Sequence, residues 1–107
     1  MQKKIAIIGL GYVGLPLAVE FGKKYTTVGY DINKNRINDL KKGLDVTKEV
    51  TKAQLKSSSK LIFSSNIETI TDSNIYIISV PTPINKDNLP DLSILLNATS
   101  IVGSILK

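Results

Sequence analysis

The chain has 107 residues, 42% of them hydrophobic and 21% charged, which suits one globular domain with a modest core and argues against wholesale disorder. It contains no cysteine and no histidine, so disulfides, thiolate nucleophiles, the usual zinc sites and imidazole acid–base chemistry are excluded from this segment. The net charge is +5, and its lysines are scattered, several in pairs (Lys3-Lys4, Lys23-Lys24, Lys41-Lys42) at expected element ends without aromatic residues between them, the pattern of a solvated surface; no nucleic-acid and no membrane partner is expected.

Residues 5–19, "IAIIGLGYVGLPLAV", follow two lysines and admit two readings, a secretory signal or a strand followed by a turn and a helix. Three glycines and a proline suit a signal helix poorly, and Ala18-Val19-Glu20 is no clear small-x-small cleavage site. Ile5–Ile8 instead reads as a central parallel strand covered on both faces. Tyr12–Lys24 reads as a helix with Leu15, Val19 and Gly22 on one face and Pro16 in its first turns. Thr26–Tyr30 is a second strand, ending at Asp31. Lys34–Lys42 is a helix with Ile37 and Leu40 inward, stopped by Gly43.

A short helix is predicted around Thr51–Lys56, a third strand at Lys60–Phe63, a helical turn at Asn66–Ile70 and a fourth strand at Ile75–Val80. The loop "PTPINKDNLPD" ends at Asp91, an N-cap for a final helix in which Leu92, Leu95, Leu96, Thr99, Val102 and Leu106 keep helical spacing. Strands alternating with helices predict an α/β fold: a Rossmann-like doubly wound parallel sheet, here its first half, with about four strands in the order 3-2-1-4 and helices on both faces.

Gly9-Leu10-Gly11-Tyr12-Val13-Gly14 spells GxGxxG between a strand and a helix. Gly9 permits the tight turn, Gly11 lets a pyrophosphate approach the backbone, and Gly14 lets the helix pack on the sheet. The helix start offers amide hydrogens and partial positive charge to phosphates. Asp31, at the end of the next strand, would accept hydrogen bonds from ribose hydroxyls and repel a 2′-phosphate, which favours NAD over NADP, although Lys34 and Arg36 lie near enough to soften that preference. Val80, Pro81, Thr82 and Pro83 leave the fourth strand beside the expected cofactor; they read equally as a ligand-facing edge and as a rigid loop leaving the sheet.

The pieces "GLGYVGLPLA", "VGYDINKNRI", "VPTP" and "PDLSIL" together resemble the N-terminal segment of the UDP-glucose/GDP-mannose dehydrogenase family, across nearly the whole chain. The resemblance implies oxidation of a nucleotide-sugar C6 hydroxyl to a uronate with two NAD⁺ reduced, in a cytoplasmic homo-oligomer making precursors of surface polysaccharide. It also implies that Gly9, Leu10, Gly11, Tyr12, Val13 and Gly14 hold the pyrophosphate. Asp31 and Arg36 would then bind the adenosine end, and Val80, Pro81, Thr82 and Pro83 lie along the dinucleotide. "DVTKEV" at residues 45–50 resembles the branch acting on UDP-N-acetylhexosamines, while Asp45 and Glu49 also read as solvated loop charges.

The family's catalytic cysteine and its helpers fall further along a longer chain, so no catalytic residue and no metal ligand is expected here. The segment is expected to be a fragment, residues 1–107 forming an NAD-binding piece whose fourth strand exposes an apolar edge prone to self-association. Two other functions fit the same residues: a nucleotide-sensing regulatory domain without catalysis, and another GxGxxG dehydrogenase.

Overall fold

The computed structural model describes residues 3–79. The predicted extension of the fourth strand to Val80, the proline-rich loop and the final helix near Asp91 lie outside the described residues. Strand β1 (Lys4–Ile8) pairs in parallel with β2 (Thr26–Tyr30) on one side and with β4 (Ile75–Ile78) on the other, and β3 (Leu61–Ser64) pairs in parallel with β2. The order is β3-β2-β1-β4, the first half of a doubly wound sheet. Ile8 lies opposite both Tyr30 and Ile78, so three strands end level, and the glycine turn leaves from that line.

The continuous apolar run of β1 is used on both faces, because successive side chains alternate. Ile5 and Ile7 join Leu15 and Val19 of α1 (Gly14–Gly22), Ile37 and Leu40 of α2 (Lys34–Lys41), and Val50. Ala6 and Ile8 join Val28, Tyr30 and Ile70, the last from a 3₁₀ turn at Ile67–Ile70. Each large side chain buried in this way contributes roughly 1.5–3 kcal/mol.

Local signals set the element ends. The α1 helix starts at Gly14 rather than Tyr12 because the residues before it are spent on the turn. It closes before Lys24 as Lys23 and Lys24 donate to the carbonyls of Glu20 and Phe21, which tightens the last turn. Asn33 caps α2 by accepting from the amides of Asn35 at 3.1 Å and Arg36 at 3.2 Å. Beyond α2, Gly43 takes φ of +84°, the left-handed C′ position. A capping box between Thr51 and Gln54 starts α3 (Lys52–Ser57), so Thr51 is its cap rather than its first residue.

Candidate functional site

The turn after β1 is built by absence of side chains. Gly9 has φ of +98°, and its N–H donates to the Tyr30 carbonyl at 2.8 Å, tying the turn to the end of β2. A β-carbon on Gly14 would stand 1.9 Å from the Gly9 carbonyl oxygen, so α1 can sit on the turn only with glycine there. At Gly11 a β-carbon would meet nothing within 4 Å. The backbone is therefore bare on a side that faces open space.

Tyr12 and Val13 flank this gap and are 69% and 65% exposed. Among the described residues no side chain caps α1, since its N-cap is Val13. The first-turn amides and the positive end of the helix dipole thus have no side-chain acceptor. A pyrophosphate fits this cradle: an uncapped helix start lies beside a stretch of backbone with room for a ligand.

Leu10 anchors the turn. Its side chain is 1% exposed and lies in the α1-side core. Its N–H donates to Asp31 Oδ2 at 3.0 Å, while its carbonyl accepts from Arg36 Nε at 2.9 Å and Nη2 at 2.7 Å. Asp31 Oδ1 accepts from the Asn33 amide at 2.9 Å. An ionised carboxylate has about four lone-pair sites, so Asp31 retains acceptor capacity for hydroxyls.

Arg36, in the first turn of α2, is only 8% exposed and its donors turn inward. Besides Leu10 it binds Asp45, Nη1 to Oδ1, at 2.8 Å. Asp45 is not a solvated loop charge: the side chain is buried and the loop is wrapped around it. Its Oδ1 accepts from the Thr47 hydroxyl at 2.6 Å and the Thr47 amide at 2.9 Å. Its Oδ2 accepts from the amides of Glu49 at 2.8 Å and Val50 at 3.0 Å.

Burial alone would push the Asp45 carboxyl up, yet the Thr47 hydroxyl, the Arg36 guanidinium and the loop amides together hold it well below the usual carboxylate range. Burial pushes the Tyr30 phenol up, and the charge of Asp31 adds to that. The sequence signal for the Asp45 cage is the D-x-T step at residues 45–47, an Asx-turn pattern.

The structure thus brings Gly9, Leu10, Gly11, Gly14, Asp31 and Arg36 together at the carboxyl ends of β1 and β2, with Tyr12 and Val13 at the rim. Val80, Pro81, Thr82 and Pro83 lie outside the described residues. A separate hollow of about 400 Å³ opens between α2, α3 and β3, where Lys41, Lys52 and Lys56 surround Leu55 and Phe63. It lies at the β3 edge and shares no residue with the glycine turn. Among the described residues no group of three or more His, Cys, Asp or Glu could hold a metal, and no helix is long and apolar enough to cross a membrane.

Known proteins share this arrangement. Residues 3–107 match the UDP-glucose/GDP-mannose dehydrogenase family, NAD binding domain. The chain is 57% identical over 106 residues to UDP-N-acetyl-D-glucosamine 6-dehydrogenase of Salmonella typhi, covering 99% of this chain and 25% of that protein. It is 52% identical over 104 residues to the Pseudomonas aeruginosa protein of the same name, covering 97% of this chain and 25% of that one. Among solved structures, UDP-D-ManNAc dehydrogenase from Pyrococcus horikoshii superposes with a TM-score of 0.88 at 36% identity, over 96% of this chain and 26% of that chain. The chain spans about a quarter of the length of the curated relatives it matches. With its glycine turn, its acidic residue after β2 and its strand order in place, the chain belongs to the NAD binding domain of the UDP-glucose/GDP-mannose dehydrogenase family.

Proposed function

We propose that this chain is the NAD-binding segment, residues 1–107, of a longer cytoplasmic, homo-oligomeric enzyme. That enzyme oxidises a UDP-sugar, of the UDP-N-acetylhexosamine class, to its uronate with two NAD⁺ for surface polysaccharide. The observation that carries the reading is the bare backbone at Gly11 beneath an uncapped helix, with Asp31 hydrogen-bonded to the neighbouring Leu10 amide. When bound, NAD supplies the hydride acceptor for oxidation of an alcohol. Gly9, Leu10, Gly11, Tyr12, Val13 and Gly14 bind and orient its pyrophosphate. Asp31 accepts from the adenosine ribose hydroxyls, and Ile32, exposed beside it, offers the adenine an apolar face. Val80, Pro81, Thr82 and Pro83 are proposed to line the dinucleotide further along.

With no cysteine or histidine in these 107 residues, this segment contributes binding and orientation, and the acid–base and covalent chemistry belongs to other residues of the enzyme. The name shared by the two relatives above supports the substrate class. The test is an absorbance assay for reduced cofactor with the intact protein, offered UDP-N-acetylglucosamine, UDP-glucose and GDP-mannose in turn. The reading expects two NADH per UDP-N-acetylhexosamine consumed. Binding of NAD⁺ without reduction on any sugar would instead support a nucleotide-sensing role.

A further inference from the structure

We propose that Asp45 is a positioning and specificity residue for the cofactor, acting through Arg36; this rests on the NAD reading above. Leu10 is held at both its peptide groups, through the N–H of the bond from Gly9 and the carbonyl of the bond to Gly11. Asp31 holds the N–H of Leu10 and Arg36 holds its carbonyl, so carboxylate and guanidinium stand on either side of the residue that precedes Gly11. Two of the Arg36 nitrogens are spent on the Leu10 carbonyl, which leaves Nη1 as the edge that a carboxylate can claim. Asp45 claims it. The Nη1 bond at 2.8 Å draws the outer edge of the guanidinium away into the loop.

Asp45 receives four further hydrogen bonds from Thr47, Glu49 and Val50, and Lys48 accepts φ of +58° to let the backbone close around it. The result is an arginine aligned to fork onto the Leu10 carbonyl, which fixes the peptide plane against which the pyrophosphate lies. The Asp31 carboxylate meanwhile stays uncancelled for the ribose hydroxyls. Loss of Asp45 has two consequences. The turn loses its lateral brace, which weakens every ligand that contains the pyrophosphate. The released guanidinium also becomes available to Asp31 and to a 2′-phosphate, which raises NADP⁺ relative to NAD⁺.

The experiment is calorimetric titration of NAD⁺, NADP⁺ and ADP-ribose into the intact protein, unsubstituted and as Asp45→Asn, Arg36→Lys and Leu61→Ala, below the melting transition of each. Leu61→Ala is the control, trimming the core at the opposite end of the sheet. We expect Asp45→Asn to weaken NAD⁺ and ADP-ribose by about the same factor, on the order of tenfold, and to lower the NAD⁺/NADP⁺ affinity ratio. Leu61→Ala lowers stability and leaves the ratio unchanged, because unfolding removes binding sites without changing their preference. Arg36→Lys, which keeps the charge but not the fork, weakens NAD⁺ even should Asp45→Asn fail to fold. Unchanged NAD⁺ affinity and ratio in folded Asp45→Asn would overturn the proposal, as would unchanged NAD⁺ affinity in Arg36→Lys. Absence of NAD⁺ binding by the unsubstituted protein would overturn the cofactor reading itself, and this inference with it.

Discussion

The carbonyl oxygen of Gly9 occupies the place where a side chain on Gly14 would begin, 1.9 Å from the ideal β-carbon. This interlock makes the glycines of the turn unequal. Gly14→Ala forces backbone against backbone and is expected to cost about 3 kcal/mol or more, a large part of the roughly 5–15 kcal/mol typical of a domain. Gly11→Ala meets open space at a non-positive φ and should change unfolding free energy by no more than about 0.5 kcal/mol. Its new methyl group nevertheless enters the space assigned to the pyrophosphate, so NAD⁺ affinity falls. Urea unfolding and NAD⁺ titration of both variants separate the two roles.

The buried Arg36–Asp45 pair predicts an asymmetry between its variants. Asp45→Ala leaves a guanidinium 8% exposed without its counter-charge and should destabilise by about 3–5 kcal/mol. Asp45→Asn keeps one acceptor oxygen of the two and should cost less. Chemical denaturation at neutral pH measures both.

Acid should narrow the stability gap between the unsubstituted protein and Asp45→Asn. The Asp45 carboxyl titrates well below its ordinary value of about 3.9 in the folded protein, so its contribution to stability is present above that value. It is lost as the pH falls below about 4 and through the depressed folded value. The stability gap between the unsubstituted protein and Asp45→Asn, followed by urea unfolding from pH 7 to pH 3, is expected to be constant above about pH 5 and to narrow below pH 4. A gap that stays constant down to pH 3 would remove Asp45 as the source.

Asp31 predicts cofactor preference. A carboxylate accepting from ribose hydroxyls forms charge-assisted hydrogen bonds of about 1.5–3 kcal/mol, and it repels a 2′-phosphate. NAD⁺ should therefore bind at least tenfold more tightly than NADP⁺. Asp31→Asn, which retains an acceptor for the Leu10 amide, should bring the two affinities closer together. Parallel titrations of the two dinucleotides check this.

How much of this was legible beforehand follows from the range of the forces involved. Strand order, the glycine turn and the acidic residue after β2 rest on local patterns: an apolar run, a spaced glycine triplet, a carboxylate at a strand end. Gly43 after α2 was readable for the same reason, because caps act over one helical turn, whereas Thr51 reads as the first residue of α3 and is its cap. The role of Asp45 was not readable in that way. Its partner Arg36 is nine residues away and belongs to a helix whose apolar pattern turns only Ile37 and Leu40 inward. Charged residues are seldom buried, and burial here depends on a loop closing in three dimensions. Likewise, nothing in the alternation of apolar residues shows that Leu10 would carry both Asp31, on its N–H, and Arg36, on its carbonyl.

The most direct test of the account is calorimetric titration of NAD⁺ into the intact protein beside its Gly11→Ala variant, with unfolding curves recorded for both. Saturable one-site binding to the unsubstituted protein is expected, with affinity at least roughly tenfold weaker in a variant of unchanged stability. Equal affinity of the two proteins for NAD⁺ would contradict the placement of the pyrophosphate on this turn, and with it the central claim.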